Sequence, residues 1–198
     1  VFTLGTSNDI NGSSDNMIAY CFHSVSGYSK FGSYTGDGTA NGSKTITTGF
    51  RPAFVIIKRT DASVDWKMFD NARNPLNPVD KILQPNTVGA EGDYDTINFT
   101  DTGFNLTDNG GAINTSSGTY IYMAFAGGMD SISDYNTDGS IDSRVKANTT
   151  YGQSVVSYTG ASGAQTIGHG LSSTPEMIIV KNRSSAQEWL VYHASNTA

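Results

Sequence analysis

Cysteine, charge, helical periodicity and long apolar runs are all scarce in this sequence. The single cysteine, Cys21, cannot form an intramolecular disulfide, which excludes a disulfide-stapled scaffold. No segment shows sustained amphipathicity at the helical period, and no apolar run is long enough to cross a bilayer as a helix. Charged residues make up only 15% of the chain and the net charge is −6, which disfavours nucleic acid and anionic membrane surfaces as partners.

Sequence motifs of catalysis are also missing. The chain contains no nucleophile elbow, no zinc-protease motif, no phosphate-cradling glycine loop and no cysteine metal cluster. We therefore predict a protein that is not an enzyme. The enzymatic alternative is a glycoside hydrolase, which works with two carboxylates, and its candidate acids are Asp65, Asp70, Glu91, Asp93 and Asp95.

Turn formers and aromatic residues are abundant instead. The chain has 22 glycines, 10 tyrosines and 9 phenylalanines, a composition typical of a turn-rich all-β protein. Runs at 17–25, 44–48, 54–57, 66–69, 96–99, 103–106 and 119–125 predict strands. Residues 54–57 do not alternate, which predicts a central strand buried on both faces. Cys21, in the first run, is predicted to pack as a small apolar residue. Residues 71–95 predict a long irregular loop, where binding often occurs.

Two internal echoes run through the sequence. Residues 52–58, Pro-Ala-Phe-Val-Ile-Ile-Lys, return as residues 175–181, Pro-Glu-Met-Ile-Ile-Val-Lys, and Trp66 returns as Trp189, both at an offset of 123. The Tyr-Thr-Gly of residues 34–36 returns at 158–160. A second echo relates residues 11–22 to residues 114–125 at an offset of 103 without a gap. The two echoes join into one unit, which predicts a tandem array cut out of frame.

The predicted fold is therefore all-β, with tandem β-sandwich or jelly-roll-like repeats: one complete unit and two partial units. Residues 1–27 would be the carboxy-terminal part of one repeat, and residues 28–126 a complete β-sandwich. Residues 127–150 would form a linker, and residues 151–198 the amino-terminal part of the next repeat. The two partial units could pair, within one chain or between neighbours, because unpaired strands seek partners. The first residues lack an initiator Met and a signal-peptide charge pattern, so we expect an internal portion of a longer chain.

The linker contains the one local motif with a metal-ligand spacing. Its residues 134–142, Asp-Tyr-Asn-Thr-Asp-Gly-Ser-Ile-Asp, place oxygen atoms at alternate positions and a glycine at the sharp turn, as calcium loops do. The predicted calcium ligands are Asp134, Asn136, Asp138, the Ser140 carbonyl and Asp142. The bidentate acid of helix-flanked calcium loops is absent, and no helices are expected on either side. A plain turn that binds nothing is the alternative, because these residue types favour turns unaided.

The predicted ligand contacts are Trp66 and Trp189. A flat aromatic surface suits the apolar face of a pyranose, and the alternative is a core tryptophan that closes a hairpin in both copies. Lys58 and Lys181 end the repeated strand and could bind acidic sugars or phosphate, although charges at a strand end are more often solvated edge residues. His169 stands between two glycines and is predicted to be a turn residue.

Four segments carry a family resemblance: residues 30–36, 49–59, 120–126 and 168–181, with runs such as Tyr120-Ile-Tyr-Met-Ala-Phe-Ala126. Together they resemble a repeated β-rich domain of uncharacterised structural and fibre-type proteins of tailed bacteriophages, especially those of marine bacteria. The resemblance implies a virion or extracellular location and a trimeric homo-oligomer of this chain that contacts other virion proteins. It implies no catalytic residues.

The predicted function is that of a non-enzymatic virion structural protein. It would be a phage fibre, tail or capsid-decorating component that contacts glycans or proteins of the host surface. The alternative is a carbohydrate-binding module or adhesin of a cell-surface protein, with bound calcium and exposed tryptophans.

Overall fold

The computed structural model describes residues 1–17, 19, 21–127 and 135–194. Its regular structure is almost wholly antiparallel β-sheet, so the predicted all-β class is confirmed. A short helix, α1 (Asn8–Asn11), lies near the amino terminus, and Ser7 caps it by accepting a hydrogen bond from the Asp9 backbone N at 3.3 Å. None of the helical structure in the described part has the length and apolarity needed to cross a membrane.

Two facing sheets form a sandwich-like unit. Sheet A contains β1 (Ser29–Thr35), β3 (Pro52–Arg59), β4 (Lys67–Asp70) and β7 (Thr119–Ala126), in the spatial order β1-β7-β3-β4. Sheet B contains β2 (Lys44–Thr47), β5 (Ile97–Thr100) and β6 (Gly103–Leu106), in the order β2-β6-β5. All neighbouring strands are antiparallel.

The hydrophobic core lies between these two sheets. Val55 and Ile57 of β3 and Ala124 of β7 are 0% exposed, because alternate residues of a strand point to the same face. Phe104 and Leu106 of β6, also 0% exposed, pack against them from sheet B. Each large apolar side chain buried in this way contributes about 1.5–3 kcal/mol to stability. Every member of this core cluster belongs to the predicted complete unit.

The central position of β3 was predicted from its continuous apolar run. β3 lies between β7 and β4, as expected. Its inner face is fully buried, whereas Phe54 and Ile56 on its outer face are only half-buried. The outer face of sheet A is therefore only partly covered by the rest of the chain.

The predicted strand at residues 17–25 is wrong for the residues described there. Met17, Ala19, Cys21 and Phe22 lie in no strand and are exposed. Cys21 is consequently not a packing residue. The physical reason is the lack of neighbouring strands: β7, which the segment resembles, has β1 on one side and β3 on the other, whereas the described residues of this segment form only an isolated bridge between Val25 and Ser29.

The carboxy-terminal part contains two smaller sheets. β8 (Tyr135–Asn136), β9 (Ser143–Asn148) and β10 (Gln153–Tyr158) form an antiparallel sheet in the order β10-β9-β8. β11 (Met177–Val180) and β12 (Leu190–His193) form a hairpin. β8 and β9 lie within residues 127–150, which were predicted to be a linker. This segment therefore forms two strands of the sheet that contains β10, in addition to a turn.

The β3–β4 and β11–β12 hairpins have the same register. Phe54 pairs with Asp70, and Met177 pairs with His193, so both strands are related by the offset of 123. The other three residue pairs of the second hairpin follow at the same offset. The sequence echo is thus matched by the backbone pairing of the two hairpins.

Candidate functional site: the seam between the sandwich and the second hairpin

The long loop of the sandwich unit meets the second hairpin in a contact that we call the seam, formed by residues 87–91 and 181–189. The Trp189 indole Nε1 donates to the Thr87 carbonyl at 3.0 Å. The Lys181 Nζ donates to the Val88 carbonyl at 3.2 Å. The loop in which binding was expected therefore contacts the second hairpin of its own chain.

Glu91 is the centre of charge in the seam. Arg183 donates to it at two points, from Nε to Oε2 and from Nη2 to Oε1, both at 2.7 Å. Arg73 adds a third hydrogen bond, from Nη1 to Oε2 at 3.0 Å. The backbone N of Glu91 donates to the Arg183 carbonyl at 2.9 Å. A planar two-point pair of this kind defines orientation as well as contributing energy.

The electrostatics of the seam favour the ionised form of Glu91. Burial opposes the ionisation of Glu91, but the hydrogen bonds from Arg183 and Arg73 outweigh burial, so the pKa of Glu91 lies below its ordinary value of 4.5. The hydrogen bond to Glu91 in turn raises the pKa of Arg183. A glycosidase acid needs a raised pKa, so Glu91 is unsuited to that role.

Arg73 connects the seam to sheet A. Its side chain is 4% exposed and that of its partner Asp70 is 3% exposed. The Arg73 backbone N donates to Asp70 Oδ1 at 2.8 Å, and its Nη2 donates to the Met68 carbonyl at 3.0 Å. Asp70 ends β4. A continuous chain of ionised groups therefore runs from the edge of sheet A through Glu91 to the second hairpin.

A groove of about 360 Å³ opens beside these charges. Phe54 and Met68, on the outer face of sheet A, line one wall, and Val155, Met177 and Ile179 line the other. Its polar end is formed by Asp70, Arg73 and Arg183. Because these ionised groups are paired with one another or with Glu91, the groove is equipped to bind an apolar group rather than to transfer protons.

Lys58 and Lys181 stand at the same position of the two hairpins and make similar contacts. The Lys58 Nζ donates to the carbonyls of Arg59 at 2.7 Å and Val64 at 2.8 Å. The Lys181 Nζ donates to the Asn182 carbonyl at 2.8 Å. Both ammonium groups are therefore directed towards carbonyls of the turn that follows the strand.

The second hairpin is apolar and exposed. Ile178 and Val180 are 42% and 36% exposed, whereas their counterparts Val55 and Ile57 are 0% exposed. β3 has a strand on each edge, but in the described part of the chain β11 has β12 on one edge and no strand on the other. Exposed apolar surface beside an open strand edge marks an interaction site.

The predicted calcium loop is described from Tyr135 onward, and Asp134 lies outside the described residues. Asn136 Oδ1 accepts a hydrogen bond from the Asp138 backbone N at 2.7 Å. Ser140 Oγ donates to Gln165 Oε1 at 2.6 Å. Within the described ranges, no three or more His, Cys, Asp or Glu side chains come together in a group that could hold a metal ion. Calcium binding here stays a prediction.

A second, polar hollow of about 190 Å³ lies on the other side of Arg183. Tyr135, Arg144 and Tyr158 line it together with Asp142, the last predicted calcium ligand. The Arg144 guanidinium lies 6.0 Å from the centre of the Tyr135 ring. Aromatic and charged side chains side by side are typical of surfaces that bind polar ligands such as sugars.

Trp66 and Trp189 are both half-buried at the ends of their hairpins. Trp189 lines the groove and bonds across the seam, as described above. The Trp66 backbone N donates to Asn86 Oδ1 at 3.1 Å. Their role as ligand contacts stays a prediction.

The candidate carboxylates are mostly separate from one another. Asp70 and Glu91 share Arg73 as a partner. Asp95 lies 3.5 Å from Lys67 with both side chains buried, and burial raises the pKa of Asp95 despite the neighbouring ammonium. Separate contacts in the loop involve Asp65 and Asp93.

The pairing of Glu91 with Arg183 was not predicted. The two residues are 92 positions apart and belong to no common motif. Glu91 was predicted only as a candidate acid, and no signal in a single sequence links it to Arg183. The echo between the hairpins could have suggested that the second hairpin needs a partner.

Comparison with known proteins identifies a family. A family model described as "Domain of unknown function (DUF7483)" matches residues 1–128 and 130–198. The break between the matched stretches falls in the predicted linker. No curated protein and no solved structure is significantly similar to the chain.

Proposed function

This chain belongs to the DUF7483 family, and we propose that it is a non-enzymatic virion structural protein of a tailed bacteriophage, as a fibre, tail or capsid-decorating component. The observation that carries the proposal is the shared register of the β3–β4 and β11–β12 hairpins. A β unit present once in complete form and again in part is the arrangement of a module in a tandem array. The resemblance of the repeated segments to phage fibre-type modules supports the virion location.

The seam supports a structural role. Arg183, Glu91 and Arg73 connect the second hairpin to the sandwich through hydrogen bonds of 2.7–3.0 Å. Such a pair restrains the second hairpin relative to the sandwich, as a fibre under tension would require. The calcium loop of residues 134–142 would stiffen the same junction if it binds its ion, since an ion that binds only the folded state stabilises it.

The test is immunogold labelling of phage particles whose genome encodes this sequence. Antibodies against the purified chain are expected to label the tail, fibres or capsid of intact particles. A matched serum adsorbed with the purified chain is the control. Label on the cell surface of uninfected bacteria, with none on particles, would contradict the virion location and favour an adhesin.

The second candidate function is a carbohydrate-binding module or adhesin, and the polar hollow beside Arg144 favours it. A glycan array with the purified chain should then show binding that Tyr158→Ala removes. Trp66→Ala tests the predicted tryptophan platform, and Tyr94→Ala, which changes an exposed tyrosine away from the hollow, is the control. Binding unchanged in the first two variants would place the glycan contact elsewhere, and an array without any signal would remove this candidate.

A further inference from the structure

Among the described residues, no strand lies on the edge of β11 that corresponds to the edge of β3 paired with β7. In the complete unit the Asn71 backbone N donates to the Ala53 carbonyl at 3.0 Å, and in the second hairpin the Ala194 backbone N donates to the Glu176 carbonyl at 2.7 Å. Antiparallel hydrogen bonds alternate along a strand. Because Glu176 bonds to Ala194, directly after β12, the backbone N–H and C=O of Met177 point away from β12 and towards the open edge of β11. Those of Ile179, two residues further on, point the same way.

The chain contains a second copy of the sequence that fills this edge in the complete unit. β7 lies beside β3, with Ala124 paired to Val55. By the ungapped echo, residues 17–22 are the counterpart of residues 120–125, and Cys21 is the counterpart of Ala124. We call residues 1–22 the amino-terminal arm.

The arm also carries apolar residues that match the other sheet. Its Phe-Thr-Leu at residues 2–4 repeats the Phe-Asn-Leu of β6 at residues 104–106. Phe104 and Leu106 are 0% exposed, whereas Phe2 and Leu4 are 61% and 47% exposed. The arm thus has the sequence of the two strands that would cover β11, one along its edge and one over its inner face.

We propose that the amino-terminal arm of one copy of this chain adds as an antiparallel strand to the open edge of β11 in a second copy. The register follows from the two offsets: Val55 pairs with Ala124 in the complete unit, so Ile178 would pair with Cys21 of the neighbour. Strand addition of this kind gains main-chain hydrogen bonds along the edge and pockets for alternate side chains. A polypeptide of residues 1–198 offers one arm and, in its described part, one open edge at β11, so copies of it would associate head-to-tail into a ring or a filament.

The arm of the same copy is held elsewhere. The Val25 backbone N donates to the Ser29 carbonyl at 3.0 Å, and Phe22 stacks on Phe31 of β1 with ring centres 5.7 Å apart. β1 is one outer strand of sheet A, and β11 faces β3 and β4 at the other side through the groove. The arm cannot lie along its own β11 without giving up the contact between Phe22 and Phe31, whereas the β11 of a neighbouring copy can approach the arm with that contact intact.

The inference rests on the proposed function only for the idea that the chain works as an array. The test therefore uses purified protein, so that its outcome does not depend on whether the protein belongs to a virion. Failure of the strand addition would leave the outcome of particle labelling untouched, and failure of particle labelling would leave the strand addition standing.

The test introduces a thiol opposite Cys21. Val55 bonds to β4, so its pair with Ala124 is the closer, non-hydrogen-bonded type, with a Cα separation of about 4.5 Å. That separation suits a disulfide, which spans about 4.4–6.8 Å between Cα atoms. Ile178→Cys protein that comprises residues 1–198 is incubated with oxidised glutathione, which accepts the two electrons released. The products are separated without reductant, and the linked peptides are identified by mass spectrometry.

The expected result is a ladder of dimers and larger species joined between Cys21 and position 178, increasing with protein concentration. Ile179→Cys places the thiol on the other face of the strand and is expected to form at least about tenfold less of this link. Cys21→Ser in the Ile178→Cys background should abolish the ladder. Melting curves of all variants establish that each is folded.

Two results would overturn the proposal. A link between Cys21 and position 178 within monomers would show that the arm closes on its own chain. Equal or absent linkage in folded Ile178→Cys and Ile179→Cys proteins would show that no strand is added at this edge in the proposed register.

Discussion

Arg183 and Glu91 form a two-point ion pair across the seam, with both nitrogen–oxygen distances at 2.7 Å. The Glu91 side chain is 14% exposed and that of Arg183 is 35% exposed. The pair is therefore shielded from water on the carboxylate side only. Because Arg73 binds the same carboxylate, the contact joins three separate parts of the chain, and its removal should be felt in each.

Replacing Arg183 should loosen the second hairpin. Arg183→Ala is expected to cost about 1–2 kcal/mol, because Glu91 retains Arg73 while solvent screens the lost partner. Hydrogen exchange of residues 87–91 and 177–193 should become faster, while exchange in β3 and β7 stays the same. Arg183→Lys, which keeps the charge but not the planar geometry, should give an intermediate effect. Unchanged exchange in Arg183→Ala would show that the seam does not depend on this pair.

Acid should weaken the seam. A carboxyl group with a lowered pKa contributes stability that is present above its unfolded-state pKa and is lost as the pH falls through its folded-state pKa. The pKa of Glu91 lies below 4.5 because the hydrogen bonds from Arg183 and Arg73 outweigh burial. The melting temperature should therefore fall as the pH drops below 4.5. In Glu91→Gln the fall should be shallower, and an identical pH profile in both proteins would contradict the assignment.

Matched truncations in the two hairpins should have unequal costs. Ile57→Ala removes a side chain that is 0% exposed and should cost about 2–5 kcal/mol in denaturant unfolding. Val180→Ala, at the same position of the second hairpin, removes one that is 36% exposed and should cost about 0.5 kcal/mol or less in dilute protein. If copies associate at β11, the cost of Val180→Ala should rise with protein concentration. Equal costs at every concentration would mean that the second hairpin is already covered.

Calcium is tested by titration into chelator-treated protein, followed by calorimetry. Binding at residues 134–142 should release or absorb heat and raise the melting temperature, because an ion that binds the folded state stabilises it. Asp134→Ala combined with Asp138→Ala should abolish both effects. Asp101→Ala, at an exposed carboxylate in another turn, is the control. The absence of heat in the natural sequence would identify residues 134–142 as a plain turn.

Most strands of the sandwich were predictable from local pattern. Residues 44–48, 54–57, 66–69 and 119–125 all form or overlap strands, because β-branched and aromatic runs between turn formers favour extended backbone. The predicted strand at 17–25 is wrong for the residues described there although residues 17–22 echo the sequence of β7, since a strand exists only where another strand pairs with it. β9 was not predicted, because its Ser-Arg-Val-Lys-Ala-Asn sequence has little apolar character.

The sequence by itself determined the β class, the echo between Trp66 and Trp189, and the position of β3 at the centre of its sheet. These follow from residue type and spacing, which act over a few neighbouring residues. Tertiary structure alone decided that Glu91 meets Arg183, that Lys181 turns to a loop carbonyl, and that Ile178 is exposed while Val55 is buried. Strands of similar sequence differ in burial because burial depends on which distant segments lie beside them, and no local pattern contains that information.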